Sequence, residues 1–112
     1  MRPFTLSRDT FHILVALADG ERHGYSIMQE VAERTEGGVR LSPSTLYSAI
    51  KRLLDEGYIE ELDERPDPAR DDERRRYYRL TKAGRRAAME EARQLEKLLS
   101  DARSTGLAPK RV

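Results

Sequence analysis

The sequence predicts a mainly α-helical chain with one small β-hairpin, and three observations carry that expectation. Apolar residues recur at helical spacing in four segments, three of which open on Ser or Thr and three of which end at Gly. Between the third and fourth of these the period changes to that of strands. The last segment is long and charged on all sides but one. At 112 residues the chain has room for one domain plus an appendage. It has no cysteine, which excludes a disulfide scaffold, an iron–sulfur cluster and thiol chemistry. Charged residues make up 37 %, yet 21 Lys and Arg against 20 Asp and Glu leave a formal net charge of only +1. Any anionic partner must therefore be recognised by the distribution of charge rather than by its sum.

The first helix spans Arg8 to Asp19, with Ser7 as N-cap and Gly20 as its stop. Phe11, Leu14, Leu17 and Ala18 form its stripe, and Ile13 and Val15 widen it. So broad a face on a short helix is expected to pack on two sides, with Phe11 and Leu14 available to a second subunit. Glu21–His23 reads as a polar connection. A second helix follows over Gly24 to Arg34, with Tyr25, Met28, Val31 and Ala32 inward, and Gly37-Gly38 breaks it. The third has the clearest start, Ser42 as N-cap and Pro43 at the first helical position, where a missing N–H is harmless. It runs to Glu56 and stops at Gly57. Leu46, Ala49, Ile50, Leu53 and Leu54 make its core stripe; Ser44, Tyr47, Ser48, Lys51 and Asp55 face outward, flanked by Thr45 and Arg52.

Tyr58–Leu62 and Arg74–Leu80 read as strands, the second with Arg76, Tyr78 and Leu80 on one face and Arg75, Tyr77 and Arg79 on the other. The intervening Asp63–Glu73, with Pro66, Pro68 and a cluster of charges, reads as a long, mobile hairpin tip. Thr81 caps a fourth helix over Lys82–Arg103, in which Ala88, Ala92, Leu95, Leu99 and Ala102 form a coiled-coil-like seam. The first three helices already close their own core, so the seam is assigned to dimerisation rather than to an intramolecular cover. The expected organisation is a winged helix-turn-helix over residues 1–80, a dimerisation helix over 81–103 and a flexible tail over 104–112.

A third helix with a polar outer face and a small-residue start suits the major groove, and the hairpin after it is the wing. Ser42, Ser44, Thr45, Tyr47, Ser48 and Lys51 are the candidates for base or backbone contact. Arg74, Arg75 and Arg76, in a stretch also holding Arg79, Lys82, Arg85 and Arg86, are the candidates for gripping phosphate; alone, such a stretch is also what a self-paired surface looks like. Tyr25 belongs to the core or to a phosphate contact rather than to base reading, and Arg52 is an ion-pair partner of Glu56 or a DNA ligand.

His23-Gly24-Tyr25, Leu46-Tyr47 with Lys51-Arg52-Leu53 and Gly57-Tyr58-Ile59, and Arg74 through Gly84 resemble, in this order and spacing, the PadR family of bacterial transcriptional regulators. The resemblance covers about residues 6 to 100. It implies a winged-helix repressor working as a homodimer on a two-fold double-stranded operator. In such a dimer the C-terminal helix pairs with help from the partner's first helix. Some members release DNA on binding planar apolar ligands, so a small-molecule effector is an expected partner, in a pocket at the dimer interface lined from the first and fourth helices. Two features depart from the family. Ser44 stands where many members have Gly, and the wing tip is acidic at Asp71-Asp72-Glu73. The single C-terminal helix matches the shorter branch, without a separate effector domain.

No catalytic or metal site is expected, and no cofactor. Ser42 lies in no Gly-x-Ser-x-Gly turn, and no glycine-rich phosphate loop is present. His12 and His23 lack metal-ligand spacing, and His23 is read as a helix cap. No apolar run approaches a membrane span and Met1–Arg8 lacks a signal segment, so a cytoplasmic protein is the expectation. The rivals are a winged-helix module that binds protein instead of DNA, favoured by the near-neutral charge, and a small-molecule sensor.

Overall fold

The structure, a computed structural model, describes residues 6–67 and 70–110. In chain order the elements are α1 (Arg8–Leu17), β1 (Arg22–His23), α2 (Gly24–Arg34), α3 (Pro43–Asp55), β2 (Ile59–Glu61), β3 (Arg65–Asp67), β4 (Arg70–Arg75), β5 (Tyr77–Leu80) and α4 (Lys82–Ser104). This is the mainly helical winged-helix architecture with a small antiparallel sheet and a long last helix. Each helix begins where a side chain can accept one of the backbone N–H groups that have no partner in the first turn. Ser7 Oγ accepts from Thr10 N at 3.1 Å, Ser42 Oγ from Thr45 N at 3.1 Å and Thr81 Oγ1 from Gly84 N at 3.0 Å. His23 caps α2 through Nδ1, which accepts from Ser26 N at 3.1 Å.

The core lies where α1, α2 and α3 meet and is closed below by the sheet. Ile13, Leu14, Leu17, Ile27, Val31, Leu46, Ile50, Leu53, Ile59 and Tyr78 are its members. Burying each large side chain contributes about 1.5–3 kcal/mol relative to leaving it in water. The inward face of α2 differs from the expected one: Gly24, Ile27 and Val31 are buried, whereas Tyr25 is 40 % exposed. Its ring lies beside the wing instead, with the Arg75 guanidinium 5.5 Å from the ring centroid. On α1, Thr10, Ile13, Leu14, Ala16 and Leu17 are buried and Ala18 is exposed.

The sheet also holds more than a simple hairpin. Arg22–His23, expected as a connection, is a strand, and β5 runs between it and β2 in the order β1-β5-β2, with His23 opposite Tyr77 and Glu61 opposite Tyr78. With neighbours on both edges and helices beside it, β5 does not alternate as a half-exposed strand would: Tyr77 and Tyr78 are both buried. The Tyr77 ring meets His23 edge-on, 5.3 Å between centroids, and carries the Arg65 guanidinium at 4.4 Å from its centroid. Arg74–Leu80 is not one strand but two, broken at Arg76. The wing is also strand further out than expected, β3 pairing with β4 through an irregularity at Pro66/Asp67. The mobility expected at the tip falls on Pro68 and Ala69 and on the side chains of 67–73, Asp71-Asp72-Glu73 among them, which lie outside the described residues.

Two contacts fix the helices to this frame. Arg22 ties α1 to α2: Nε donates to Ala16 O at 2.8 Å, one NH2 nitrogen to Ser26 Oγ at 3.2 Å, and the other faces Glu30 at 3.3 Å. Thr81 docks α4, its hydroxyl donating to Gly57 O at 2.6 Å and its N–H to Tyr58 O at 3.1 Å. Arg85 then donates to Ala18 O at 3.1 Å, at the C-terminal end of α1. The docking needs Gly84, because a Cβ there would stand 1.9 Å from Tyr58 O. Past α4, which includes Ser104, the chain turns back: Leu107 N donates to Ala102 O at 2.8 Å and Arg103 Nε to Pro109 O at 3.0 Å. Arg111 and Val112 lie outside the described residues. Replacing Gly84 by Ala is expected to destabilise by about 2 kcal/mol or more, because backbone and not a flexible side chain must give way. Thermal denaturation should show this as a Tm lower by roughly 10 °C.

Candidate nucleic-acid interface

The outward face of α3 stands clear of the rest of the chain. Leu46, Ala49, Ile50 and Leu53 anchor the helix, and this leaves Ser44, Thr45, Tyr47, Ser48 and Lys51 exposed together on one side. These side chains offer hydroxyl donors and acceptors and one ammonium at the spacing of a helix face, which is what base edges and flanking phosphates accept. Ser42 sits at the edge of this set with its oxygen already engaged: besides capping, it donates to Thr45 Oγ1 at 3.0 Å. Tyr47 is 49 % exposed, and its hydroxyl lies against the start of α2. A Cβ on Gly24 would fall 2.5 Å from that hydroxyl, so glycine there is what lets the ring lie down.

The wing reaches the start of α2, where Arg75 stands over Tyr25 next to the Gly24 that meets the Tyr47 hydroxyl, and its other arginines are engaged within the chain. Arg74 donates to Glu64 O at 2.7 Å, and its Nε lies 3.8 Å from the Glu64 carboxylate. Arg76 NH1 lies 3.6 Å from Glu61 Oε2, and Arg79 Nε donates to Glu60 Oε1 at 2.9 Å. Arg65 pairs with Glu21. Arg75 is half-buried and rests on Tyr25, so the structure separates it from its exposed neighbours Arg74 and Arg76. Between the wing and α3 lies Tyr78. Burial pushes its phenol pKa up, the charge of Glu61 and the nearby Tyr47 add to this, and Arg76 opposes it. The acidic partners Glu60, Glu61 and Glu64 did not stand out in the sequence. Glu60 faces Arg79 across the ladder, a pairing visible only once the register is known, while Glu61 and Glu64 reach arginines that are not their direct partners in it.

The expected dimer seam is partly spent inside the chain. Leu14 is 0 % exposed and belongs to the domain's own core, so it offers no surface to a partner. Ala88 packs against the same core. Phe11, Leu95, Leu99 and Ala102 line, with Val15 and Leu98, a groove of about 610 Å³ between α1 and α4, rimmed by Arg8, His12 and Arg34. Ala92 is exposed, as are Met89 (58 %) and Leu98 (61 %), so one apolar stripe of α4 has no cover in its own chain. Among the described residues no group of His, Asp or Glu is placed to hold a metal ion, and no helix is long and apolar enough to cross a membrane.

Comparison with known proteins agrees with this geometry. The chain is 40 % identical over 98 residues to the transcriptional regulator Rv3488 of Mycobacterium tuberculosis, which covers 88 % of this chain and 85 % of that one. A PadR family transcription regulator from Clostridium difficile superposes with a TM-score of 0.71 at 25 % identity, over 91 % of this chain and all of that one. PadR of Bacillus subtilis, solved in complex with operator DNA, superposes with a TM-score of 0.66 at 24 % identity, over 77 % of this chain and 47 % of that one. Residues 13–90, which run from the core of α1 through α3 and the wing into α4, match the transcriptional regulator PadR-like family. The chain belongs to that family, whose members are DNA-binding regulators of transcription and not enzymes.

Proposed function

We propose that the chain is a homodimeric, sequence-specific repressor that places α3 in the major groove of a two-fold operator and holds the flanking phosphates with its wing. The observation that carries this is the α3 face of Ser44, Thr45, Tyr47, Ser48 and Lys51, exposed together on one side of the helix, with Arg74 and Arg76 exposed on the wing. Tyr25, half-covered by Arg75, belongs to the phosphate-facing margin of the same surface. Two-fold symmetry would set the two recognition helices about 34 Å apart, one turn of duplex, or a multiple of that. The operator complex of the Bacillus subtilis relative supports the same use of this fold.

Two features favour a dimer. The radius of gyration, 15.9 Å, exceeds the roughly 13 Å of a compact chain of this size. On α4, Met89, Ala92, Leu98 and Leu99 are left to water in the single chain. A second α4, assisted by Phe11 of the opposing α1, would cover them. The α1–α4 groove is then the place for an effector: a planar apolar molecule entering it would act by favouring one dimer geometry over another. The pairing of the wing arginines with glutamates is what a protein-binding winged helix would also show, and DNA titration separates the two readings.

Selection from random duplexes should return a palindromic site. On that site the double change Ser48→Ala with Lys51→Ala should weaken binding by roughly tenfold or more, with little change in Tm. Unaltered affinity would remove α3 from the interface. Leu99→Glu should turn the dimer seen by analytical ultracentrifugation into a folded monomer and take operator affinity down with it. A wild-type chain that sediments as a monomer at micromolar concentration would contradict the dimer.

A further inference from the structure

Of the arginines on the wing, Arg76 lies at the break between β4 and β5. Its partner Glu61 is the last residue of β2 and stands opposite Tyr78 in the ladder. Strand β2 packs against α3, so the Arg76–Glu61 pair lies at the end of the strand that adjoins the proposed recognition helix. Both side chains are open to water, at 65 % and 39 % exposure, and their separation of 3.6 Å is a charge contact rather than a tight hydrogen bond. Such a pair is weak, amounting to at most about a fivefold factor, and a phosphate can displace it.

Building on the DNA-binding reading, we infer that Glu61 is an internal stand-in for DNA phosphate. It occupies Arg76 in the free protein and in loosely held complexes, and yields the arginine only when α3 is seated in the groove. A carboxylate and a phosphate oxygen present the same acceptor to a guanidinium, so one replaces the other without moving the backbone. Non-specific binding consists of phosphate contacts and little else. A wing arginine withheld by Glu61 therefore costs the non-specific complex a whole contact, whereas the seated complex loses only the work of opening the pair. Glu61 thereby becomes a residue that discriminates seated from unseated DNA, although it touches no base.

The test compares wild type, Glu61→Gln, Asp101→Asn and Glu61→Gln in an Arg76→Ala background. Asp101→Asn removes one carboxylate and releases Lys97, its partner at 2.7 Å on α4, and so controls for net charge alone. The readouts are elution from immobilised heparin and fluorescence anisotropy with a scrambled duplex over a salt series. Glu61→Gln should elute at higher salt than Asp101→Asn and bind the scrambled duplex about 2- to 5-fold more tightly, with a salt slope steeper by about 0.9. The gain should vanish when Arg76 is absent. Equal effects of Glu61→Gln and Asp101→Asn, a gain that survives loss of Arg76, or no gain over a wild type that binds DNA would each overturn this inference alone. A wild type that binds no duplex would overturn the DNA-binding reading and this inference with it.

Discussion

Strand β5 is the constraint on which the rest of the molecule depends. Four residues, Tyr77–Leu80, are held between β1 and β2. Through β1 they fix His23, which is at once a neighbour of Tyr77 and the cap of α2. Through β2 they fix the chain leaving α3. Tyr78 enters the core formed by the helices, and Thr81, immediately after the strand, returns to Gly57 and Tyr58 and starts α4. The recognition helix, the wing and the last helix are thus oriented by one short strand. The order has a cost in freedom: with Gly84 against the Tyr58 carbonyl, α4 has a single way to leave the domain.

The charge balance takes on a physical meaning in this frame. A chain with net charge +1 is not drawn to DNA as a whole. The wing arginines Arg74, Arg76 and Arg79 are matched by Glu64, Glu61 and Glu60 on the facing strand and its extension. The α3 face is built differently, from hydroxyls and a lysine over an aliphatic anchor. On the proposed reading, base contact and phosphate contact fall to different elements, and the arginines proposed for phosphate are the ones paired with carboxylates.

Much of this was legible before any coordinates. The caps Ser7, Ser42 and Thr81 announce their helices because a hydroxyl before a periodic apolar run has one local use. The α3 stripe is equally plain, since its apolar residues fall only on one side. Strand β1 was not legible: two residues carry no period, and Arg22 and His23 are polar residues made structural by partners far along the chain. The face of α2 was misjudged because Tyr25 looks like core, while Gly24, which is core, has no side chain to signal it. Leu14 was placed at the dimer face for a similar reason, since a broad stripe on α1 does not say which edge meets the domain and which meets α4. The arginine–glutamate pairing of the wing needed the β2–β5 register, which sequence spacing across a long tip cannot supply.

The most direct measurement is fluorescence anisotropy of the purified protein with the duplex upstream of its own coding region and with a scrambled duplex, across a salt series. A repressor that reads bases through α3 and grips phosphates through its wing should prefer the first by about a thousandfold or more and lose affinity steeply as salt rises. Failure to bind either duplex at low salt would contradict it, and would leave the fold serving a protein partner.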